Sequence, residues 1–404
     1  VNTMKILFFL MFTISAYAND TELLNNLLKK SNTISLENRT YEIDADKVLL
    51  KDRNIEIIGH KSGTIIKLIN SVEFNSRKPK SLLTFKNCER VCIKNINFEG
   101  FTNSAYALTF IKDKKLKNEF YEIKRNFAKK IGLVYFRPEQ GFSFNFYDTY
   151  HKNWAINGKV TVEQFFSNII ILNNECFGNT NFKVNSFNGL SVSAISIHFS
   201  RNVLVESNNI SNYRFGVWIY GGGSRSRDKS KLTHNKILCV NVKVNKNIVK
   251  QTFSPIWFSK AKDIVAKNNL CTYNQDVALD FEGCSDALVI GNKIINSKGG
   301  SLVALNGSKD IFFLQNDITS TKGFFNSNFN ISLIRDGNSR IHYIKNSFKN
   351  KTRFQSRIFI KNSSEHIDSN NENIIFKENL FINVVIEVLK QQKIFTDSNN
   401  HITQ

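Results

Sequence analysis

The chain lacks a long hydrophobic run and is poor in acidic residues. Its 404 residues include 34 Asp and Glu against 55 Lys and Arg, which gives a formal net charge of +21. No apolar stretch reaches the roughly 20 residues that a membrane-spanning helix needs, so we expect no transmembrane segment. Phosphate-cradling loops, nucleophile elbows and Cys/His metal spacings are also missing from the sequence. The enzyme classes that depend on those motifs are therefore disfavoured.

The first residues have the features of a secretory signal. Lys5 precedes an apolar run that starts at Ile6, and the tripeptide "AYA" before Asn19 has the small-x-small pattern of a cleavage site. We therefore expect residues 1–18 to be a signal peptide and the mature protein to be secreted or periplasmic.

The positive charge favours a polyanionic partner, because a surface potential of one sign attracts ligands of the other. Export makes nucleic acid an unexpected partner, so we expect a polysaccharide, with an anionic one favoured by the charge, or an anionic cell surface. Genomic bias towards lysine and asparagine is the alternative explanation of the composition.

One pattern returns eight times from residue 168 onward. An Asn, Asp or Arg anchor is followed by alternating apolar residues and by a closing Asn six positions later. The segments are "NIIILNN" (168–174), "NVLVESN" (202–208), "NVKVNKN" (241–247), "DIVAKNN" (263–269), "DALVIGN" (286–292), "DIFFLQN" (310–316), "RIHYIKN" (340–346) and "NIIFKEN" (373–379). The basal unit of about 22–24 residues, with short alternating strands and no helical periodicity, is typical of a parallel β-solenoid.

The repeat also assigns structural roles. We expect the closing asparagines to stack at one corner of the solenoid. The residues two positions after them predict a single inward-facing column: Cys176, Ile210, Val249, Cys271, Ile294, Ile318, Phe348 and Phe381. Cys239 and Cys284 are separated by the turn that carries Ala261, which puts them roughly 9–10 Å apart, too far for a disulfide. We therefore predict mostly reduced, buried cysteines.

These repeats resemble the right-handed parallel β-helix proteins of the pectate-lyase-like superfamily over roughly residues 30–390. The stretch "NTISLENRTYEIDADKVLLKDRNIEIIGHKSGTIIKL" resembles their first turns, and "DTELLNNLLKK" resembles the amphipathic helix that caps their apolar end. The resemblance implies an all-β, right-handed parallel β-helix of about ten turns with a short N-terminal capping helix. It also implies a fold used chiefly for cutting or binding polysaccharides, without identifying the reaction. The motif set of polygalacturonases, Asn-Thr-Asp, Asp-Asp, Gly-His-Gly and Arg-x-Lys, is missing.

We expect residues 19–390 to form a single β-helix domain and residues 391–404 to form a C-terminal tail. Insertions are predicted near residues 102–160 and 221–233, where the repeat is interrupted. Insertions in a solenoid usually lie on one face, which is often the binding face.

The segment "DVALDFEGCSD" (276–286) concentrates carboxylates in this basic chain. Alternate side chains of a strand face opposite sides, so a core set of Val277, Leu279 and Phe281 predicts an outer set of Asp276, Asp280 and Glu282. The strand rise puts the Cβ atoms of Asp280 and Glu282 roughly 6.5–7 Å apart. That separation is compatible with the acid pair of a glycosidase. Asp286 occupies an anchor position, so its predicted role is structural.

Counting back from the anchors predicts which side chains of the neighbouring turns share this outer face. Trp257 and Ser259 align with Asp280 and Glu282 in the preceding turn, and Ala304 and Asn306 align with them in the following turn. The predicted solvent-exposed face contains His198, Trp218, Tyr220, Trp257, Asp280, Glu282 and Asn306. Aromatic rings suit the apolar faces of sugars, and carboxylates and amides bind hydroxyl groups. In the glycine-rich loop that follows, two arginines are suited to hold a carboxylate or sulfate: Arg225 and Arg227.

The leading hypothesis is an exported glycoside hydrolase that acts on a polysaccharide. Asp280 and Glu282 are its predicted acid and base or nucleophile, with His198 as a further catalytic candidate. The predicted sugar-binding residues are Trp218, Tyr220, Trp257, Asn306, Arg225 and Arg227. No cofactor is expected for this reaction.

Two alternatives remain open. The first is a calcium-dependent lyase acting on a uronate polymer, in which Asp276, Asp280 and Glu282 bind Ca²⁺. Its base or charge-neutralising group is Arg225, Lys229 or His198. The second is a non-enzymatic surface protein that binds glycan or another protein through the same face.

Overall fold

The computed structural model describes residues 19–73, 79–139, 162–179, 192–222, 239–361, 370–389, 394–396 and 399–403. The expected signal peptide and the basic loop with Arg225, Arg227 and Lys229 lie outside these residues. The described chain contains helix α1 (Thr21–Lys30), a short 3-10 helix (Val162–Gln164) and 38 strands. Neither of the two helices in the described part is long and apolar enough to cross a membrane.

The strands, numbered in chain order, form three sheets in which all neighbours are parallel, here called sheets A, B and C. Sheet A contains β1 (Thr33–Ser35), β4 (Ile55–Ile58), β7 (Arg90–Lys94), β10 (Phe120–Lys124), β13 (Phe166–Leu172), β16 (Ser200–Glu206), β19 (Cys239–Asn245), β22 (Ala261–Lys267), β25 (Ser285–Ile290), β28 (Lys309–Leu314), β31 (Ser339–Ile344), β34 (Glu372–Lys377) and β37 (Ile394–Thr396). Sheet B contains β2 (Thr40–Ile43), β5 (Thr64–Leu68), β8 (Ile96–Glu99), β11 (Phe127–Lys129), β14 (Glu175–Phe177), β17 (Asn209–Ser211), β20 (Ile248–Lys250), β23 (Leu270–Asn274), β26 (Lys293–Ser297), β29 (Asp317–Ser320), β32 (Ser347–Asn350), β35 (Leu380–Ile382) and β38 (His401–Thr403).

Sheet C contains β3 (Val48–Lys51), β6 (Lys80–Lys86), β9 (Ala105–Lys112), β12 (Gly132–Pro138), β15 (Ile195–His198), β18 (Phe215–Tyr220), β21 (Ser254–Ser259), β24 (Val277–Glu282), β27 (Gly300–Leu305), β30 (Phe329–Arg335), β33 (Ser356–Lys361) and β36 (Val384–Val388). Each sheet takes every third strand, so the chain winds as a parallel β-helix, as predicted. Crossovers between parallel strands of one sheet are almost always right-handed.

Within the described residues the sheets have 13, 13 and 12 strands, more than the about ten turns predicted. Part of the difference lies in residues 105–138, which were predicted to belong to an insertion but form the regular strands β9 to β12. The repeat was missed there because Phe120 stands at the anchor position, where the backbone is not left-handed. The predicted C-terminal tail also continues the helix, since β37 pairs with β34 and β38 pairs with β35.

The anchors of the repeat have a conformational role. All eight have positive φ, between 53° and 57°: Asn168, Asn202, Asn241, Asp263, Asp286, Asp310, Arg340 and Asn373. Asn and Asp tolerate this left-handed conformation better than other side-chain-bearing residues, which explains the composition of the position. The exception, Arg340, donates from Nη2 to Oδ2 of Asp310 in the preceding turn at 2.6 Å.

The closing asparagines form the predicted stack, here called the asparagine ladder. Each side-chain amide donates to Oδ1 of the asparagine one turn further on; Asn269 Nδ2, for example, lies 2.9 Å from Asn292 Oδ1. The ladder is longer than the repeat predicted, because Asn126 and Asn400 extend it at its two ends. Its members are Asn126, Asn174, Asn208, Asn247, Asn269, Asn292, Asn316, Asn346, Asn379 and Asn400.

The interior of the helix is filled as the sequence predicts. Strand pairing aligns the inward column from Cys176 to Phe381, and every member is buried. All six cysteines are unpaired; five are buried and Cys92 is half-buried, which confirms the prediction of reduced cysteines. Helix α1 inserts Leu24 and Leu28 into the core at the first turns and so provides the predicted cap.

Candidate functional site

Strand pairing in sheet C brings together most of the side chains predicted to share the outer face. His198 pairs with Tyr220, and Trp218 pairs with Trp257. Trp257 then pairs with Asp280 in β24. The predicted alignment of these four strands is therefore confirmed. We call His198, Trp218, Tyr220, Trp257, Asp280 and Glu282 the outer layer of sheet C.

The alignment predicted for the next turn is wrong by one residue. Val303 and Leu305, rather than Ala304 and Asn306, pair with Asp280 and Glu282. Ala304 faces the core, and Asn306 lies beyond the strand with a φ of 58°. The cause is the length of the corner that follows. The segment from Leu305 to its anchor Asp310 is one residue longer than the segment from Glu282 to its anchor Asp286.

The start of β24 also differs from the predicted alternation. Leu279 and Phe281 face the core as predicted, but Ala278 is the third core residue. Val277 instead packs outside the sheet against Val303 and Leu305. In the pairing with β27, Val277 is opposite Gly300 and Leu279 is opposite Leu302, but Ala278 between them has no partner. Strict alternation is interrupted there and does not reach Val277.

The outer layer is buried rather than exposed, contrary to the prediction. His198 is fully buried, and the other members are at most 7% exposed. Part of the reason is that rings from adjacent strands stack on one another. Trp218 and Trp257 are parallel, with ring centroids 5.3 Å apart and an interplanar angle of 8°. Phe215 packs against both indoles, at 5.5 and 5.1 Å.

The stacking limits what the tryptophans can offer to a ligand. Trp218 has Trp257 on one side and meets the ring of His198 at 4.7 Å in an edge-to-face arrangement. The predicted sugar platform is therefore largely occupied by protein rings. Trp257 borders the strand that carries Asp280, so it is the indole next to the carboxylates.

His198 has the environment of a packing residue. Its Nε2 lies 3.0 Å from Ser196 Oγ, and its ring contacts Tyr135 and Tyr220 with centroids 4.9 and 5.1 Å apart. Burial, reinforced by the positive charge of Arg137, lowers the pKa of His198 to about 3. The imidazole is therefore neutral at physiological pH, and these contacts favour a structural over a catalytic role.

Asp280 and Glu282 lie side by side on the outer side of β24. Asp280 is beside Trp257, and Glu282 is beside Ser259 in the preceding strand. Both carboxylates are buried, at 7% and 6% exposure. Burying two acidic side chains on one strand carries a desolvation cost that their surroundings must offset.

Asp276 is the third carboxylate of the segment, and its environment is distinctive. Ser254 Oγ donates to its Oδ2 at 3.3 Å, and its Oδ1 lies 2.3 Å from where a Cβ on Gly299 would stand. Burial raises the pKa of Asp276 to about 6; the hydrogen bond from Ser254 opposes this shift and the charge of Glu282 adds to it. Asp276 therefore keeps its proton at higher pH than an ordinary aspartate.

Sequence reasoning missed one cation near Asp276. Arg214, directly before β18, is 5% exposed, and its guanidinium carbon lies 5.0 Å from the ring centroid of Phe215. Its positive charge lowers the pKa of Asp276, against the larger effect of burial. The only sequence signal was an arginine at the entrance to the strand that carries Trp218.

The lyase alternative predicts a calcium site in this segment. Among the residues that the structure describes, no group of three or more His, Cys, Asp and Glu side chains could hold a metal ion. Asp276, Asp280 and Glu282, the candidate calcium ligands of the lyase alternative, do not form such a group.

Comparisons with known proteins do not assign an activity to the chain. No protein-family model and no curated protein matches the sequence. The structure is similar to the mannuronan C-5 epimerase A-module of Azotobacter vinelandii, with a TM-score of 0.41, 11% identity and coverage of 96% of both chains. It is similar to the surface adhesin PfbA of Streptococcus pneumoniae, with a TM-score of 0.42, 10% identity, and coverage of 96% of this chain and 90% of that one. For the family 28 exopolygalacturonase of Yersinia enterocolitica the TM-score is 0.45 and the identity 10%, covering 96% of this chain and 76% of that one.

Proposed function

We propose that the protein is an exported carbohydrate-active β-helix protein that hydrolyses a polysaccharide at the outer layer of sheet C. The observation that carries the proposal is the pair Asp280 and Glu282, buried side by side next to Trp257. Glycoside hydrolysis needs two carboxyl groups that flank one glycosidic bond. The net charge of +21 supports a polysaccharide that carries negative charge.

In this proposal the two carboxyl groups have different roles in the reaction. One donates its proton to the glycosidic oxygen as the bond to the anomeric carbon breaks. The other either activates a water molecule or attacks the anomeric carbon itself. Their Cβ separation of roughly 6.5–7 Å, set by the strand rise, is compatible with both routes. Asp276 directly precedes the same strand, and burial raises the pKa of its carboxyl group to about 6.

The test is an incubation of the full protein with a panel of acidic and neutral polysaccharides, read for new reducing ends. We expect wild-type protein to release reducing ends and both Asp280→Asn and Glu282→Gln to be slower by about 100-fold or more, since each removes a proton-transferring group. Asp286→Asn is the matched control, because this nearby carboxylate is an anchor in sheet A and Asn is found at other anchors. Wild-type turnover by Asp280→Asn contradicts the proposal.

A second candidate, non-enzymatic glycan binding, is favoured by the net charge of +21, which suits an anionic polysaccharide whether or not it is cleaved. A protein of this kind is retained on an immobilised polysaccharide and releases no product from it. The lyase alternative predicts ultraviolet absorbance from unsaturated uronates in the same digests. The arrangement of Asp276, Asp280 and Glu282 gives that alternative no support.

A further inference from the structure

A cavity of about 450 Å³ opens at the corner between sheets B and C, two to three turns beyond β24. Its walls are two loops from successive turns, residues 321–328 before β30 and residues 351–355 before β33. The side chains that line it combine two cations, two phenyl rings, an amide and a hydroxyl: Lys322, Arg353, Phe325, Phe354, Asn326 and Thr352. None of these residues belongs to the outer layer of sheet C.

The first wall of the cavity is fixed by the core. Phe325 is 8% exposed, belongs to the main core and stacks on Phe329, with ring centroids 3.7 Å apart. Gly323, in the same loop, has a φ of 83°, a conformation that favours glycine, and a Cβ added to it would meet no atom within 4 Å.

The second wall is fixed by hydrogen bonds. Asn350 Nδ2 donates to the carbonyl of Phe354 at 2.7 Å, and the backbone amide of Gln355 donates to Asn328 Oδ1 at 3.0 Å. The latter bond joins the two loops to each other. A site whose walls are already held in place loses less entropy when a ligand binds.

Within the described residues, the two cations of the cavity have no acidic partner. Nearby cations are paired: Lys349 lies 3.2 Å from Asp317, and Arg357 lies 2.6 Å from Glu387. Lys322 and Arg353 form no ion pair with any carboxylate in the described part of the chain. The guanidinium carbon of Arg353 instead lies 5.0 Å from the ring centroid of Phe354, which leaves its donors available to a ligand.

We propose that this cavity binds an anionic sugar unit of a polysaccharide. Arg353 and Lys322 bind its carboxylate or sulfate group, and the rings of Phe325 and Phe354 contact its apolar face. Asn326 and Thr352 supply hydrogen-bonding groups for its hydroxyls. The volume falls within the range of small-ligand sites.

The same corner continues as a row of rings and cations in the preceding turns. Lys298 lies over the ring of Phe324, with its Nζ 5.2 Å from the centroid. Tyr273, one turn further back, meets Phe324 edge-on at 5.9 Å and is 49% exposed. Turns of a parallel β-helix follow one another at about 4.8 Å. The row therefore extends the binding surface along the helix axis and favours a polymer over a single sugar.

Titration calorimetry on the full protein tests the site with three oligosaccharides of equal length: a uronate, a sulfated one and a neutral one. We expect the anionic ligands to bind at least 10-fold more tightly than the neutral ligand. The uronate and sulfated arms distinguish carboxylate from sulfate recognition. Equal binding of the neutral and anionic ligands overturns the proposal.

The variant Lys322→Gln/Arg353→Gln is expected to lose at least 10-fold in affinity for the preferred anionic ligand. The matched control is Lys349→Gln/Arg357→Gln, which removes the same charge from paired cations in the adjacent strands and is expected to change affinity less than 2-fold. An unchanged affinity in the cavity variant, or an equal loss in the control, overturns the proposal. Asp280→Asn is expected to leave the affinity of the cavity unchanged. The binding proposal and the hydrolysis proposal are therefore tested independently of each other.

Discussion

The corner between sheets A and B has a repeating composition, whereas the corner between sheets B and C has a variable one. At the first corner asparagine recurs at ten levels as the asparagine ladder, and nine of the ten are buried. At the second corner the residues change in type and number from one turn to the next, from Tyr273 and Lys298 to the loops 321–328 and 351–355. The first corner holds the turns in register, and the second carries the cavity.

The physical difference lies in the backbone groups that each corner must satisfy. Asn292 Nδ2 donates to the carbonyl of Ala266 and to Oδ1 of Asn316, and its own Oδ1 accepts from the backbone amide of Asn269. Buried backbone groups that lack such partners are costly, so the corner keeps one residue type and one length. The B–C corner lies at the surface, where loops of different length are tolerated. Loops that carry ligand-binding side chains are therefore tolerated at this corner without disturbing the winding of the chain.

The largest expected effect follows from breaking the ladder with Asn292→Leu. The change leaves the backbone amide of Asn269 and the carbonyl of Ala266 without their side-chain partner in a buried corner. We expect a loss of about 3–5 kcal/mol in the free energy of unfolding, at about 1–3 kcal/mol for each unsatisfied group. Urea denaturation measures it. Lys293→Leu, an exposed neighbour, is the control, and similar losses in both variants contradict the role of the ladder.

A smaller effect is expected where the B–C corner is crowded. A Cβ at position 299 would stand 2.3 Å from Oδ1 and 3.0 Å from the backbone carbonyl carbon of Asp276, so Gly299→Ala forces a shift. We expect a loss of about 1–3 kcal/mol, the usual range for overpacking. Gly323→Ala meets no atom but must adopt a φ of 83°, and we expect about 1 kcal/mol. Thermal unfolding measures the loss of stability in the two variants. Equal losses would contradict the expected cost of the contact between position 299 and Asp276.

The smallest effect is the pH dependence contributed by Asp276. Its pKa of about 6 in the folded protein exceeds the value of about 3.9 for an unfolded chain. The stabilising contribution is therefore complete below about pH 4 and is lost as the pH rises through about 6. Asp276→Asn cannot ionise, so we expect it to gain about 1–2 kcal/mol relative to wild type between pH 4 and pH 7. Unfolding midpoints measured across that range check this, and parallel curves for the two proteins would contradict it.

The sequence predicted those parts of the fold that repeat. The ladder, the inward column through Cys176 and Cys271, and the pairing of Trp257 with Asp280 all follow from one register, because burial and hydrogen bonding recur at every turn. The errors fall where the repeat is altered locally. One additional residue before Asp310 shifted Asn306 out of its predicted alignment. Because Phe120 stands at an anchor position, the turn that contains it was not recognised as a repeat.

Two features of the candidate sites could not be read from the repeat. Alternation places Trp218 and His198 outside the sheet, but it does not say what lies above them, and both are buried. The cavity depends on two loops that meet across turns through the bond from Gln355 to Asn328. Loops of unequal length follow no repeat register, so the contacts between them cannot be predicted from the sequence and require the structure.

The order of strands in sheet C sets a distance between the two proposed sites. The cavity loops lead into β30 and β33, two and three strands after β24, which carries Asp280. At about 4.8 Å per strand this separates the sites by about 10–14 Å along the axis. If both proposals hold, a polysaccharide held in the cavity presents its next units to the carboxylates as an intramolecular ligand, at an effective concentration set by the connecting sugars. Apparent affinity then rises with oligosaccharide length until both sites are filled, and it levels off beyond that length.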